Sequence, residues 1–359
     1  MITVESAAGR YEVHVRWGAL DDLGALMREV GLHGQAFVVS DSTVASLYSD
    51  RALASLREAG FGADLFAFAA GEASKSLETV SRIYDWLLEH HAERGSPLVA
   101  LGGGIVGDTA GFAAATYLRG VPLVQAPTSL LAMVDASIGG KVAVDHPRGK
   151  NLIGAFYAPR IVVEDTSLLA SLPERALRDG FGEVIKHGLI TDPPMLEILE
   201  READRLLKVE PELTTEIVAR NAALKARIVS EDEREGGLRM ILNYGHTVAH
   251  ALEAATAYGR FMHGEADSIG MMVEAEIGRR MGVTPPEVGE VQRRLFARFG
   301  LPDRTSGVDV EAVMTATLHD KKVASKRVRW VLLEGLGRPV VRDDVPDSIV
   351  RGVLEELVA

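Results

Sequence analysis

The chain has 359 residues, of which 47% are hydrophobic and 25% charged, with a formal net charge of −12 and no cysteine. Its length exceeds one ordinary core, so two domains are expected. The acidic balance argues against nucleic-acid or anionic-membrane partners, and the lack of cysteine excludes disulfides and thiolate metal sites. No apolar run approaches the roughly 20 residues that span a bilayer, and the first residues lack a basic-then-apolar secretion pattern, so a cytoplasmic location is expected.

Residues 11–15 read as a strand, and 36–39 as a short buried strand ending at Ser40-Asp41-Ser42. A helical pattern covers about 43–59, a strand follows at 64–68, and helical periodicity returns at about 77–92. Residues 97–101 form a strand running into Gly102-Gly103-Gly104, and strands at 121–125 and 160–164 complete the set. Alternating β and α segments imply a parallel sheet covered on both faces. Beyond about 175 helical periodicity dominates, at about 175–190, 194–207, 211–230, 240–256, 264–282 and 286–299. Only 327–333 reads as a late strand. The expectation is an α/β N-terminal Rossmann-like parallel-sheet domain, 1–175, followed by a mostly α-helical C-terminal domain, 176–359.

Gly102, Gly104 and Gly107 match G-x-G-x-x-G between a strand and a helix, where bare backbone and a helix N-terminus can take a pyrophosphate. The acidic residue expected about 20 positions later is absent, and the motif follows a later strand than the first. A plain glycine-rich turn therefore remains an alternative. Asp41, at the end of an earlier strand, is a candidate for ribose hydroxyls. Gly139-Gly140-Lys141 is followed by Val142, so there is no Walker motif and ATP hydrolysis is disfavoured.

His246 and His250 are four apart and share one helix face; His263 opens His263-Gly264-Glu265, and Glu183 stands three before Lys186. Imidazoles with one carboxylate are the ligand set of a catalytic zinc-type ion, although a lone HxxxH is more often a surface pair. Arg119, Lys141, Lys150, Lys186, Lys225, Lys321 and Lys322 stand beside glycine turns or this cluster. Each alone is more often a solvated charge; together they suit a pocket for a substrate carrying phosphate and carboxylate.

With these residues the sequence resembles the 3-dehydroquinate synthase family. The matching motifs are Gly102-Gly-Gly-Ile-Val-Gly-Asp108, Tyr117-Leu-Arg-Gly120, Pro127-Thr-Ser-Leu-Leu-Ala-Met-Val-Asp135, Ser137-Ile-Gly-Gly-Lys141, His146-Pro-Arg-Gly-Lys-Asn151 and Gly182-Glu-Val-Ile-Lys186. Asp232-Glu-Arg-Glu-Gly-Gly-Leu-Arg239, Asn243-Tyr-Gly-His246, His263-Gly-Glu265 and Asp320-Lys-Lys322 follow in the family's order.

The resemblance implies NAD bound between the domains, one divalent ion (Zn or Co), and metal ligands Glu183, His246 and His263. It moves His250 from ligand to substrate contact or proton relay. It implies cofactor contacts at Gly71, Glu72, Lys75, Gly104, Ile105, Val106, Gly107, Asp108, Thr128, Ser129, Lys141, Lys150, Leu168, Leu169, Ala170 and Ser171. Substrate and catalytic contacts carry over to Asp135, Lys141, Asn151, Lys186, Lys225, Arg239, Asn243 and His250, and to Lys321 or Lys322. Arg119 resembles the family's arginine that reaches the neighbouring subunit's substrate phosphate, which implies a homodimer.

The implied reaction is a carbon–oxygen lyase reaction on 3-deoxy-D-arabino-heptulosonate 7-phosphate. A hydroxyl is oxidised by NAD, phosphate is eliminated, the hydride is returned, and the opened ring closes by an intramolecular aldol step to 3-dehydroquinate. Ser129, Val142, Asp145 and Ala249 depart from the family's usual residues without removing a ligand or cation. Alternatives are another sugar-phosphate cyclase, a metal-dependent NAD polyol dehydrogenase, or an inactive nucleotide-binding regulator.

Overall fold

The computed structural model describes residues 1–7, 9–319 and 328–359. They form two compact units: Met1–Leu172 with Val209–Glu233, and Pro173–Lys208 with Arg234–Ala359.

The first unit holds strands β1 (Ile2–Ser6), β2 (Gly9–Arg16), β3 (Gln35–Asp41), β4 (Gly62–Phe68), β5 (Leu98–Gly102), β6 (Leu123–Pro127), β7 (Lys141–His146), β8 (Gly149–Phe156) and β9 (Ile161–Asp165). Its first helices are α1 (Leu23–Glu29), α2 (Ser42–Glu58), α3 (Leu77–Glu89) and α4 (Gly104–Thr116). Seven strands make one sheet in the order β1-β2-β9-β6-β5-β3-β4. All its pairings are parallel except that of β1 with β2. The inner strands read as unbroken apolar runs because both faces are covered. Ala36 and Val38 face one layer with Leu23 and Leu56, while Phe37 and Val39 face the other with Ile83, Leu87 and Val106. Removing a side chain such as Val38 or Leu101 from water contributes about 1.5–3 kcal/mol.

Strand order reverses at the β3/β5 pair, since β3 is followed outward by β4 and β5 by β6 on the other side. Open parallel sheets bind ligands beyond the carboxyl ends of such a pair. Ser40 is the register partner of Leu101, which brings Asp41 and Gly102 to those two ends. The glycine motif follows a late strand because the reversal lies there. Its successor β6 is followed by a single π turn (Ala132–Ala136), and β7 and β8 form a separate antiparallel hairpin.

The chain leaves this unit at Leu172, forms α5 (Glu174–Thr191) and α6 (Pro193–Leu206), and returns as α7 (Pro211–Glu231). A boundary after residue 175 places α7 in the helical domain. Instead Ala222, Ala226 and Val229 of α7 pack with Val4, Tyr11, Val13 and Val162 of the sheet. A helical period names an apolar face but not the core that takes it.

In the second unit α8 (His246–Ala255), α9 (His263–Arg280), α10 (Pro286–Phe299), α11 (Val310–His319), the hairpin β10 (Trp330–Leu333) and β11 (Pro339–Arg342), and α12 (Asp347–Leu357) join α5 and α6. α9 is the axis: α5, α8, α10 and α12 pack against it, and most of its residues are buried. The helix expected over 240–256 is broken. A 3-10 segment (Leu238–Asn243) ends before Gly245, whose φ of 87° no β-carbon residue adopts cheaply. The Gly245 N–H donates to the buried Glu274 carboxylate at 2.9 Å. The late strand is paired with a second one, β11, that the sequence reading did not include. No helix among the described residues is long and apolar enough to cross a membrane.

Candidate metal and nucleotide sites

α5 carries charge into the interior. Glu183 and Lys186, three apart on one face, are each about 1% exposed, and Lys186 Nζ donates to Glu183 Oε1 at 2.6 Å. Glycines let α9 reach them. A Cβ at Gly182 would lie 2.9 Å from Gly264 Cα, so the helices cross backbone to backbone. Asp179 of α5 caps α9, its Oδ1 accepting from the N–H groups of Gly264 at 2.6 Å and Glu265 at 3.2 Å. Burial pushes the Asp179 carboxyl up to about 6, although His263 and these N–H groups pull it down. Glu265 is structural. It accepts from the Met262 N–H at 3.0 Å, closing a capping box, and from two nitrogens of the Arg175 guanidinium at 2.7 and 2.8 Å.

These constraints put His263 at the first position of α9 and His246 at the first position of α8. Donor atoms of Glu183, His246 and His263 all lie within 4.8 Å of one another. Nε2 of His246 is 3.7 Å, and of His263 3.5 Å, from Glu183 Oε1. The Nδ1 atoms face away, to Asp267 Oδ1 at 2.8 Å and Glu253 Oε1 at 3.4 Å. A carboxylate behind each imidazole directs Nε2 toward Glu183, an arrangement that suits a metal-binding histidine. Two imidazoles and one carboxylate with no sulfur suit a zinc- or cobalt-type ion. His250, Glu253 and His263 form a second group at the same spacing. There the glutamate faces the outer nitrogen of His263, so the Glu183 set fits an ion better. The sequence reading missed Asp267 and Glu253; their spacings, four after His263 and three after His250, were the available signal.

Burial opposes a proton on His263, but Glu183, Glu253 and Asp267 outweigh it and hold the ring well above the ordinary histidine range. A cation on the same lone pairs competes with that proton. Burial and then Lys186 lower His246. His250 neighbours both rings, with centroids 5.1 Å from His246 and 6.0 Å from His263. Asn243 Nδ2 donates to Glu235 Oε1 at 2.8 Å, and Arg239 is buried on the same 3-10 segment. Lys321 and Lys322 lie outside the described residues.

In the first unit, α4 begins at Gly104 directly after β5, with no side chain capping it. Its first N–H groups are thus available to an anion. A Cβ on Gly107 would meet Gln125 Oε1 at 2.9 Å, so this glycine is there for packing. Lys75 Nζ donates to Asp108 Oδ2 at 2.5 Å and Asn151 Oδ1 at 2.6 Å, joining an expected cofactor contact to an expected substrate contact. Burial pushes Asp108 up to about 6 against the pull of Lys75. Lys150 pairs with Glu72 at 2.9 Å, and Gly71 turns the chain there at φ 111°. Lys225 donates to the Asp135 carbonyl at 2.6 Å and to its carboxylate.

Other expected residues have structural duties. Asp41 Oδ1 caps α2, accepting from Thr43 and Val44 N–H. The side chains of Val106, Leu168 and Leu169 are buried. Ser171 and Tyr48 both donate to the Leu168 carbonyl. Thr128 N–H donates to Gly102 O at 2.9 Å, and Ser129 Oγ accepts from Ala132 N–H at 3.3 Å. Ile105 and Ala170 have no side-chain polar atom. Lys141 is exposed, as is Arg119, which sits at φ 68° in the turn after α4.

The fold is shared with solved cyclases. A 2-epi-5-epi-valiolone synthase from Streptomyces hygroscopicus, solved with NAD+ and Zn2+ bound, superposes with a TM-score of 0.89 and 27% identity, covering 96% of each chain. A 2-deoxy-scyllo-inosose synthase complexed with carbaglucose-6-phosphate, NAD+ and Co2+ superposes with the same score at 28% identity over 99% of each chain. Fold and site thus define a sugar-phosphate cyclase. Residues 65–179 match the family described as 3-dehydroquinate synthase N-terminal, and 180–323 its C-terminal counterpart. A 3-dehydroquinate synthase from Nostoc punctiforme is 45% identical over 358 residues, 99% of both chains. The chain belongs to the 3-dehydroquinate synthase family.

Proposed function

We propose that the protein converts 3-deoxy-D-arabino-heptulosonate 7-phosphate to 3-dehydroquinate and phosphate, as a step of the shikimate pathway to aromatic amino acids. The observation that carries the reading is the convergence of Glu183, His246 and His263 within 4.8 Å, with a carboxylate behind each imidazole. Those three residues would hold one Zn or Co ion, and the turn at Gly104, Ile105, Val106, Gly107 and Asp108 would hold NAD. When bound, these groups supply a Lewis acid and a hydride acceptor that is restored in each turnover.

The chain's own residues bind, orient and move protons. In the first unit we assign Asp135, Lys141, Asn151 and Lys225 to the substrate, with Lys75 and Lys150 on the cofactor. Lys225 is 6% exposed at its side chain and hydrogen-bonded to Asp135, so it presents a fixed charge. Fixed cations lower the cost of developing negative charge because they need no reorganisation. In the second unit, Arg239 and Asn243 orient the substrate. His250, whose ring lies beside those of His246 and His263, is assigned to proton handling. Lys186 is tied to Glu183 and Asp267, which makes it a support of the metal ligands.

The protein acts as a cytoplasmic homodimer on a small phosphorylated sugar acid; its net charge of −12 favours neither nucleic acid nor anionic membrane. One assay tests the function: phosphate release followed together with the absorbance of reduced nicotinamide. Phosphate without net NADH is expected. Net NADH accumulation on a polyol would instead indicate a dehydrogenase.

A further inference from the structure

We propose that Asp267 is a positioning residue of the metal site, fixing His246 with its Nε2 toward Glu183 and compensating the Lys186 ammonium. This rests on the ligand set proposed above. Asp267 lies one turn after His263 on α9 and is fully buried. Its two oxygens serve two other helices: Oδ1 is 2.8 Å from His246 Nδ1 on α8, and Oδ2 is 3.1 Å from Lys186 Nζ on α5. A buried carboxylate persists only when paired this way.

The hydrogen-bond pattern assigns the tautomer. An ionised carboxylate only accepts, so the His246 proton sits on Nδ1 and the Nε2 lone pair is directed at the ion. Lys186 Nζ lies 3.1 Å from the same Nδ1, and neither of those atoms can then accept from the other. Asp267 is what holds these two donors side by side. Charge follows the same logic. Lys186 also touches Glu183 Oε1 at 2.6 Å, so an ammonium sits against a ligand carboxylate. With Asp267 ionised, two carboxylates against one ammonium leave a net negative pocket for a dication. With a neutral residue at 267, that negative charge is gone.

The test measures Zn2+ affinity by chelator competition and the visible absorption of Co2+-loaded protein, with circular dichroism to confirm folding. Asp267→Asn is expected to weaken Zn2+ binding about 10- to 100-fold and to shift the Co2+ bands. Adding Lys186→Met to Asp267→Asn should recover much of that loss, since the uncompensated ammonium is gone. Zn2+ affinity within twofold of the parent and an unchanged Co2+ spectrum in Asp267→Asn would overturn the proposal. Should that variant not fold, Lys186→Met/Asp267→Leu is compared with Lys186→Met/Asp267→Asn. About tenfold weaker binding in the leucine variant supports the ring-positioning role, and equal binding overturns it. His246→Ala and His263→Ala are the controls: retained ion binding in both would show instead that the ligand set itself is misassigned.

Discussion

Gly182 on α5 and Gly264 on α9 touch through their backbones, with a Cβ at Gly182 reaching 2.9 Å from Gly264 Cα. The residues beside them in sequence, Glu183 and His263, come within 3.5 Å of each other as a result. A Cβ at Gly264 would lie 1.9 Å from the Asp179 carbonyl oxygen, which is backbone and cannot swing away. Gly264→Ala is therefore expected to destabilise the protein by about 1–3 kcal/mol and to weaken metal binding together with stability. Chemical denaturation and chelator competition measure both. An unchanged midpoint would mean that the helices tolerate a wider crossing.

Asp108 makes stability depend on pH. Burial raises its carboxyl to about 6 from an ordinary 3.8, with Lys75 opposing. A carboxyl raised on folding binds its proton more tightly in the folded state. Its stabilising contribution is complete below the unfolded value and is lost as pH rises through about 6. Comparing denaturation of the parent and Asp108→Asn across about pH 4 to 7 isolates this group. The parent should lose ground to the asparagine variant over that window; parallel profiles would refute the shift.

Much of the fold was legible because parallel strands are apolar without interruption, as at 36–39 and 97–101, and glycine clusters mark their ends. The proposed metal ligands were suggested only by the family motifs, since His246-x-x-x-His250 by spacing alone pairs His246 with a ring outside the proposed set. Asp267 and Glu253 looked like ordinary helix charges; nothing in a single sequence tells a buried carboxylate from a solvated one. α7 was misassigned for a related reason, because Ala222, Ala226 and Val229 define a face that either core could have covered. The hairpin of β7 and β8 was invisible because its outward residues, such as Leu152 and Phe156, are themselves apolar and blur the alternation.

Lys225 separates charge placement from simple packing. Its ammonium is held by the Asp135 carbonyl and carboxylate on a helix that returns to the sheet unit. Lys225→Met keeps the length of the side chain and removes the charge. If the ammonium stabilises negative charge in the transition state, kcat should fall about 10²- to 10³-fold. KM for the heptulosonate phosphate should change far less, and NAD affinity should hold. A loss confined to KM would make Lys225 a ground-state binding residue only.

Arg119 follows Leu118 in a turn where both residues have positive φ, 68° and 47°, and both are exposed. That backbone is costly for residues with a β-carbon, so the turn holds the guanidinium outward at the expense of strain. On the homodimer reading, Arg119 of one subunit serves the phosphate bound by the other. Arg119→Ala should then raise KM for the phosphorylated substrate and leave NAD affinity alone. A mixing experiment is more decisive. With substrate well below the raised KM, Arg119→Ala and His246→Ala should each be nearly inactive alone, while a mixed dimer would carry one site with both residues intact. Equal mixing after subunit exchange makes half the dimers mixed, so about a quarter of parental activity should return. If the mixture stays inactive although sedimentation shows exchanged dimers, Arg119 acts within its own subunit.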